Sequence, residues 1–145
     1  MDHQDTSLHE LITLTFAAVE AKDLDAMMHV FADDAVVIDP HFPTLLLHGK
    51  AAITDGFQEA MAGMQSFGYT IANYFESENR QSAAVETATH HVMKAGMKRN
   101  FPQVFIFETA NGRFTRMQAY EPYGPPGIVG VFLFLARLKK RVWRT

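Results

Sequence analysis

Cysteine is absent from all 145 residues. Disulfides, thiolate zinc sites, iron–sulfur clusters and cysteine nucleophiles are therefore excluded, and a reducing compartment is permitted. The sequence also lacks a Gly-x-Ser-x-Gly elbow, a phosphate-cradling glycine loop and a dinucleotide fingerprint, so neither serine-hydrolase chemistry nor a nucleotide is implied and no cofactor is expected. No His-Glu-x-x-His or comparable ligand spacing occurs, and no metal site is expected. His90 and His91 are adjacent on a strand and point to opposite faces, so they cannot chelate one ion in regular strand geometry. His3, His9 and His29 read as solvated or helix-surface residues. Basic residues are scarce over most of the chain. Five of the 13 (Arg137, Lys139, Lys140, Arg141, Arg144) lie in the last nine positions, leaving 8 against 16 acidic residues, a net charge of −8, in residues 1 to 136. Phosphate contacts need basic surface, so nucleic acid is excluded as the main partner. The acidic, polar start Met1-Asp2-His3-Gln4-Asp5 is not the pattern of a signal peptide, and the expectation is a cytoplasmic protein.

What is present suits one globular domain: 48% apolar and 20% charged residues, enough to build a core and leave room for a pocket. Ser7 and Glu10 form a capping box ahead of Leu8, Leu11, Ile12, Phe16 and Val19 at helical spacing. Asp23 caps a second helix that runs through Met27, Met28 and Phe31 to the acidic pair Asp33-Asp34. Val36 to Asp39 reads as a short strand stopped by Pro40, and a third helix fits Ile53, Phe57, Ala60, Met61 and Met64. Beyond Gly68 the pattern changes to strands at 69–76, 83–94, 101–108 and 113–121, separated by turns at Ser77-Glu78-Asn79, Ala95-Gly96 and Asn111-Gly112. Helices first and an antiparallel meander afterwards make an α+β plan, with the helices covering one face of a curved sheet.

Two segments are more specific. Residues 23 to 40, Asp23-Leu24-Asp25-Ala26 and then Phe31-Ala32-Asp33-Asp34-Ala35-Val36-Val37-Ile38-Asp39-Pro40, continue to His48-Gly49-Lys50-Ala51-Ala52-Ile53. With Asn111 to Tyr120 they resemble the ketosteroid isomerase branch of the nuclear transport factor 2-like superfamily, which also holds the SnoaL-like polyketide cyclases. The resemblance covers residues 8 to about 121. It implies a cone-shaped, curved antiparallel sheet with N-terminal helices over its concave face, enclosing a pocket, as one domain over 1–121. Residues 122–145 are then a Pro/Gly turn and an apolar, basic extension of the same domain.

In the isomerases an aspartate shuttles a proton between two carbons while a tyrosine and a protonated carboxylic acid hold the enolate oxygen. Asp39 matches the base. The tyrosine's position falls on Thr15, beside Phe16. The acid's falls on Gln103, or on Val104 with no extra residue in the turn before Gly112. A hydroxyl and an amide are weak donors, and each lost oxyanion donor costs about two to three powers of ten in rate, so classical steroid isomerase activity is not expected.

If Gln103 points inward, so do Phe101, Phe105 and Phe107 by alternation. The resemblance places Met117 and Ala119 inward, which sends Glu121 to the same side near the mouth. Phe57 from the third helix joins them. Such a lining suits a small hydrophobic ligand bearing a carbonyl or hydroxyl; the competing account is that these aromatics are simply core. Asp39 has two accounts as well, a loop cap or a general base that Val37, Ile38 and nearby phenylalanines desolvate. His41, two residues on, could share its face and relay a proton.

Two functions remain open: an isomerase-, cyclase- or dehydratase-type enzyme in which Asp39 moves a proton while Gln103 or Thr15 orients the ligand oxygen, or a ligand-binding or assembly module without chemistry. A homodimer through the outer sheet face, with Arg116, Gln118 and Tyr120 at the contact, is implied by the resemblance. The run Ile128 to Ala136 is too short to cross a bilayer, which takes about twenty residues. Being apolar nearly all round, it is expected to pack on its own sheet or on a partner subunit. The less favoured reading lays it, with Trp143 and the five cations, on an anionic membrane surface.

Overall fold

The computed structural model describes residues 6–142; the acidic start with His3, and the end with Trp143 and Arg144, lie outside the described residues. Three helices come first. The helix α1 (Leu8–Ala21) begins where Ser7 Oγ accepts the Glu10 N–H at 3.2 Å and stops at Lys22, in the left-handed region at φ 56°. Ser7 thus acts as the N-cap, which is one half of the expected capping box. Asp23 caps α2 (Leu24–Val30) by accepting the Ala26 N–H. Strand β1 (Phe31–Ile38) follows without a break, then β2 (Leu46–His48), α3 (Lys50–Gly63) and the short β3 (Met64–Ser66). The meander comprises β4 (Tyr69–Glu76), β5 (Ser82–Met93), β6 (Lys98–Ala110) and β7 (Arg113–Tyr120).

The sheet runs in the order β2-β1-β7-β6-β5-β3, with β4 also on β5. All pairings are antiparallel except β1 with β7, which is parallel. The sheet is curved and open, and the N-terminal helices supply the apolar faces that cover it. Ile12, Phe16 and Val19 from α1, Met27 from α2 and Ile53, Phe57 and Met61 from α3 are buried with Phe105, Phe107, Phe114, Met117 and Ala119 of the sheet. This is the α+β architecture anticipated from the order of patterns.

Two boundaries differ from the sequence expectation and two short strands were not expected, each for a physical reason. Phe31 does not end the second helix; it opens β1, wholly buried against Phe57 and Phe114. Its spacing from Met27 suits a helix, but its burial belongs to the sheet, and the register slips between Phe31 and Val36 so that Asp33 and Asp34 stay in solvent. Met64 leaves the third helix to pair with Met93 in β3. The three-residue strands β2 and β3 are too short to carry an alternation signal.

The C-terminal segment forms a helix, α4 (Gly127–Val142), in which no described residue is buried. Ile128, Val131, Phe132, Phe134 and Val142 are 57–70% exposed, which corrects the expectation that it packs on its own sheet. The Pro122 to Pro126 segment supplies few backbone donors and leads the chain away from β7 before the helix starts.

Candidate functional site

The open end of the sheet gathers the polar residues. Asp39 directly follows β1, and its backbone is held by the Leu45 carbonyl on one side and the Phe42 N–H on the other. Its Oδ1 accepts the His41 N–H at 2.8 Å, a local turn that uses the short aspartate side chain. The residue is only 8% exposed. The side chain thus caps the local turn while being largely withdrawn from solvent.

His41 Nδ1 lies 3.3 Å from Asp39 Oδ1 and 3.3 Å from Glu121 Oε1. Its Nε2 meets the Tyr123 hydroxyl at 3.1 Å. The hydrogen bond to Asp39, aided by the Glu121 charge, raises the imidazole pKa above its ordinary 6.5 against the opposing pull of burial. The Glu121 side chain is 1% exposed, and burial lifts its carboxyl above the usual range. Gln103 Nε2 donates to Glu121 and its Oε1 accepts from Thr89 at 3.1 Å. Thr89 and Thr87 hydroxyls lie 3.2 Å apart, and Thr87 reaches the Gln103 carbonyl. A polar chain thus runs along the concave face from Thr87 through Gln103 and Glu121 to His41 and Asp39.

Beside this chain is a cavity of about 220 Å³ lined by Asp39, His41, Phe42, Ala60, Met64, Phe67, Tyr69, His91, Met93, Arg99, Phe101 and Gln103. Of the residues singled out from sequence, Asp39, His41, Phe101 and Gln103 reach it. Glu121 stands one hydrogen bond behind, on Gln103. Phe16, Phe57, Phe105, Met117 and Ala119 are core side chains instead. Phe105 lies 5.3 Å from Phe16 and 6.1 Å from Phe107, ring centre to ring centre. The competing accounts of the aromatics therefore divide by position, with Phe101 on the cavity wall and Phe105 and Phe107 in the core. Thr15 is drawn away from the oxygen-orienting role, because its hydroxyl donates to the Leu11 carbonyl at 2.7 Å and it does not line the cavity. Gln103 lines it with an amide already bonded at both ends.

Sequence reasoning missed Tyr69, His91 and Arg99. Adjacency alone leaves either His90 or His91 facing inward; the pairing of Thr89 with Phe101 and of His91 with Arg99 selects His91. Burial lowers the His91 pKa from 6.5 to about 4, so the ring is neutral near pH 7. Among the described residues, Asp39, His41 and Glu121 are the set whose donor atoms, all within 4.8 Å of one another, could hold a cation. His41 Nδ1 is already taken up between the two carboxylates.

The two histidines make opposite contributions to stability. Between about pH 4 and 6.5 His91 binds a proton in the unfolded chain and not in the folded one, so stability rises with pH there. Above 6.5 His41 holds its proton only in the folded state, and stability falls as pH rises through its raised pKa. Glu121, also raised, offsets part of the His91 effect on the acid side. In thermal melts across this range, His91→Gln should flatten the acid limb and His41→Gln the alkaline limb. Unchanged limbs in both variants would contradict the assignment.

Comparison with known proteins places this geometry. The model of the SnoaL-like domain family matches residues 12–117. No curated protein matches the chain. A Mycobacterium tuberculosis protein crystallised with estradiol-17β-hemisuccinate is 21% identical, with 76% of this chain and 89% of that one covered and a TM-score of 0.68. A putative polyketide cyclase from Pseudomonas putida KT2440 is 19% identical over 85% and 93% of the two chains, TM-score 0.67. A protein of ketosteroid isomerase-like fold from Catenulispora acidiphila, in complex with trimethylamine, is 20% identical over 79% and 86%, TM-score 0.68.

Proposed function

Because the chain belongs to the SnoaL-like domain family of the nuclear transport factor 2-like superfamily, we propose that it is a small-molecule enzyme in which Asp39 transfers a proton on a hydrophobic, carbonyl-bearing ligand. The observation that carries this reading is a carboxylate only 8% exposed on the wall of a cavity otherwise lined largely by aromatic and apolar side chains. A carboxylate held on the wall of such a cavity is placed to take a proton from the carbon next to a ligand's carbonyl as a general base. His41 supports it. Its imidazole, shared between Asp39 and Glu121, holds a proton beside the base and orients the carboxylate. The relatives crystallised with a steroid ester or with polyporic acid support a hydrophobic ligand.

The cavity, at about 220 Å³, is below the usual range of roughly 300–1,000 Å³ for ligand pockets and suits a ligand of one or two rings. The experiment is hydrogen–deuterium exchange at the α-carbon of bicyclic aromatic ketones, followed by NMR. Exchange catalysed by the wild-type protein above the buffer rate is expected. A wild-type rate equal to the buffer's across the series would leave the non-catalytic binding module as the better reading.

A homodimer through the outer sheet face belongs to the same proposal. Arg116, Gln118 and Tyr120 alternate with the buried Met117 and Ala119 and so face outward, with Tyr120 50% exposed and Arg116 paired to Glu108 at 2.7 Å. Light scattering at micromolar concentration should give twice the monomer mass, and a monomer would count against this contact.

A further inference from the structure

Two side chains on the cavity wall, Tyr69 and His91, can offer a donor to a ligand. Tyr69 gives its backbone N–H to Glu20 at 2.7 Å, while its hydroxyl is bonded to none of the described residues. Packing fixes the ring. Phe16 stacks on it at 4.7 Å with an 18° interplanar angle, and His91 stands edge-on at 5.1 Å. Burial, with the charges of Asp39 and Glu121 nearby, pushes the phenol pKa up, so it stays protonated and can only donate usefully. His91 Nδ1 accepts the Gly68 N–H at 3.3 Å. A neutral ring that accepts at Nδ1 carries its proton on Nε2, so the backbone sets the tautomer. Beyond a backbone hydrogen bond of the ring with His90, Nε2 meets no side-chain partner among the described residues.

Among the described residues no buried side-chain nitrogen or oxygen lacks a partner, so a polar atom left unbonded on this wall is open to whatever fills the cavity. Here two donors share one cavity with a buried carboxylate, while the donors expected from sequence, Thr15 and Gln103, are committed elsewhere. We propose that the Tyr69 hydroxyl and the His91 Nε2–H form the oxygen-binding site for a hydrophobic ketone, holding its carbonyl oxygen as it becomes an enolate. This rests on the proton-transfer reading of Asp39. The Asp39 carboxylate takes the α-proton, the C–H electron pair forms the new C=C bond, and the carbonyl π pair moves onto the oxygen that the two donors hold. Return of the proton from Asp39 to carbon regenerates a ketone. Neutral donors of this kind polarise a carbonyl without the cost of burying a cation.

The test uses 2-naphthol, a bicyclic enol analogue, against naphthalene, which keeps the rings and lacks the oxygen. Binding is measured by fluorescence to the wild type, Tyr69→Phe and His91→Gln. Each variant should weaken 2-naphthol by roughly three- to tenfold, the usual size of one hydrogen bond, and leave naphthalene unchanged. Equal loss of both probes would mean lost packing and would overturn the donor role. Unchanged 2-naphthol binding in both variants would also overturn it, and the Asp39 reading would still stand if ketone exchange persisted. Failure of the wild type to bind either probe or to exchange ketones would remove both.

Discussion

Asp39→Asn is expected to reduce ketone exchange by roughly 10²–10⁴-fold, the span that a positioned general base contributes. An amide cannot accept the α-proton at neutral pH, so the loss falls on the chemical step. Folding should survive, because the turn needs only an acceptor for the His41 N–H, now 2.8 Å from Oδ1, and asparagine's Oδ1 is one. Naphthalene binding should persist for the same reason. The decisive comparison is the exchange rate of wild type and variant on one ketone at one pH, with thermal melts as the folding control. Equal rates would remove Asp39 from the mechanism.

The largest expected effect on stability comes from Phe107→Ala. Phe107 has no exposed surface, and its ring lies 4.8 Å from Phe114, 6.1 Å from Phe105 and 6.0 Å from Phe16. It joins α1 to the middle of the sheet. Removing a ring so enclosed leaves a cavity the neighbours cannot fill, at a cost of about 3–5 kcal/mol. In a domain of this size that lowers the melting temperature by roughly 10 °C or more. Phe101→Ala, at the cavity wall where the ring already meets open space, should cost clearly less. Equal destabilisation by the two substitutions would mean that the wall is as tightly packed as the core.

These predictions divide along the line between what the chain spells out locally and what it does not. The strand at 69–76 was legible to the residue, and the other meander strands to within a few residues, because alternation and turn residues act locally. So were the helix caps at Ser7 and Asp23. Phe31 was misplaced because its position satisfies the helical period from Met27 and the strand alternation toward Val37 equally; only its contact with Phe57 and Phe114 decides. Asp39, His41, Phe101 and Gln103 were legible as candidates because two lie in one motif and two share a strand face. Tyr69 and His91 were not, since nothing beside them in the chain marks them. The α4 run was read from its composition as packing on its own sheet or on a partner subunit; it is exposed within its own chain, because composition states what a segment would gain by burial and not which surface receives it.

The sequence by itself determined an α+β domain of the SnoaL-like family, without cysteine chemistry, and an aspartate at the end of an apolar strand. The fold class, the missing thiol chemistry and the place of the aspartate follow from residue type and short-range spacing, and the family from the resemblance of residues 23–53 and 111–120. Only the tertiary structure decided which polar groups face that aspartate, since the answer turns on cross-strand register, where a shift of one residue sends a side chain to the opposite face. That register brings His91 and Tyr69 to the cavity and ties Gln103 to Glu121.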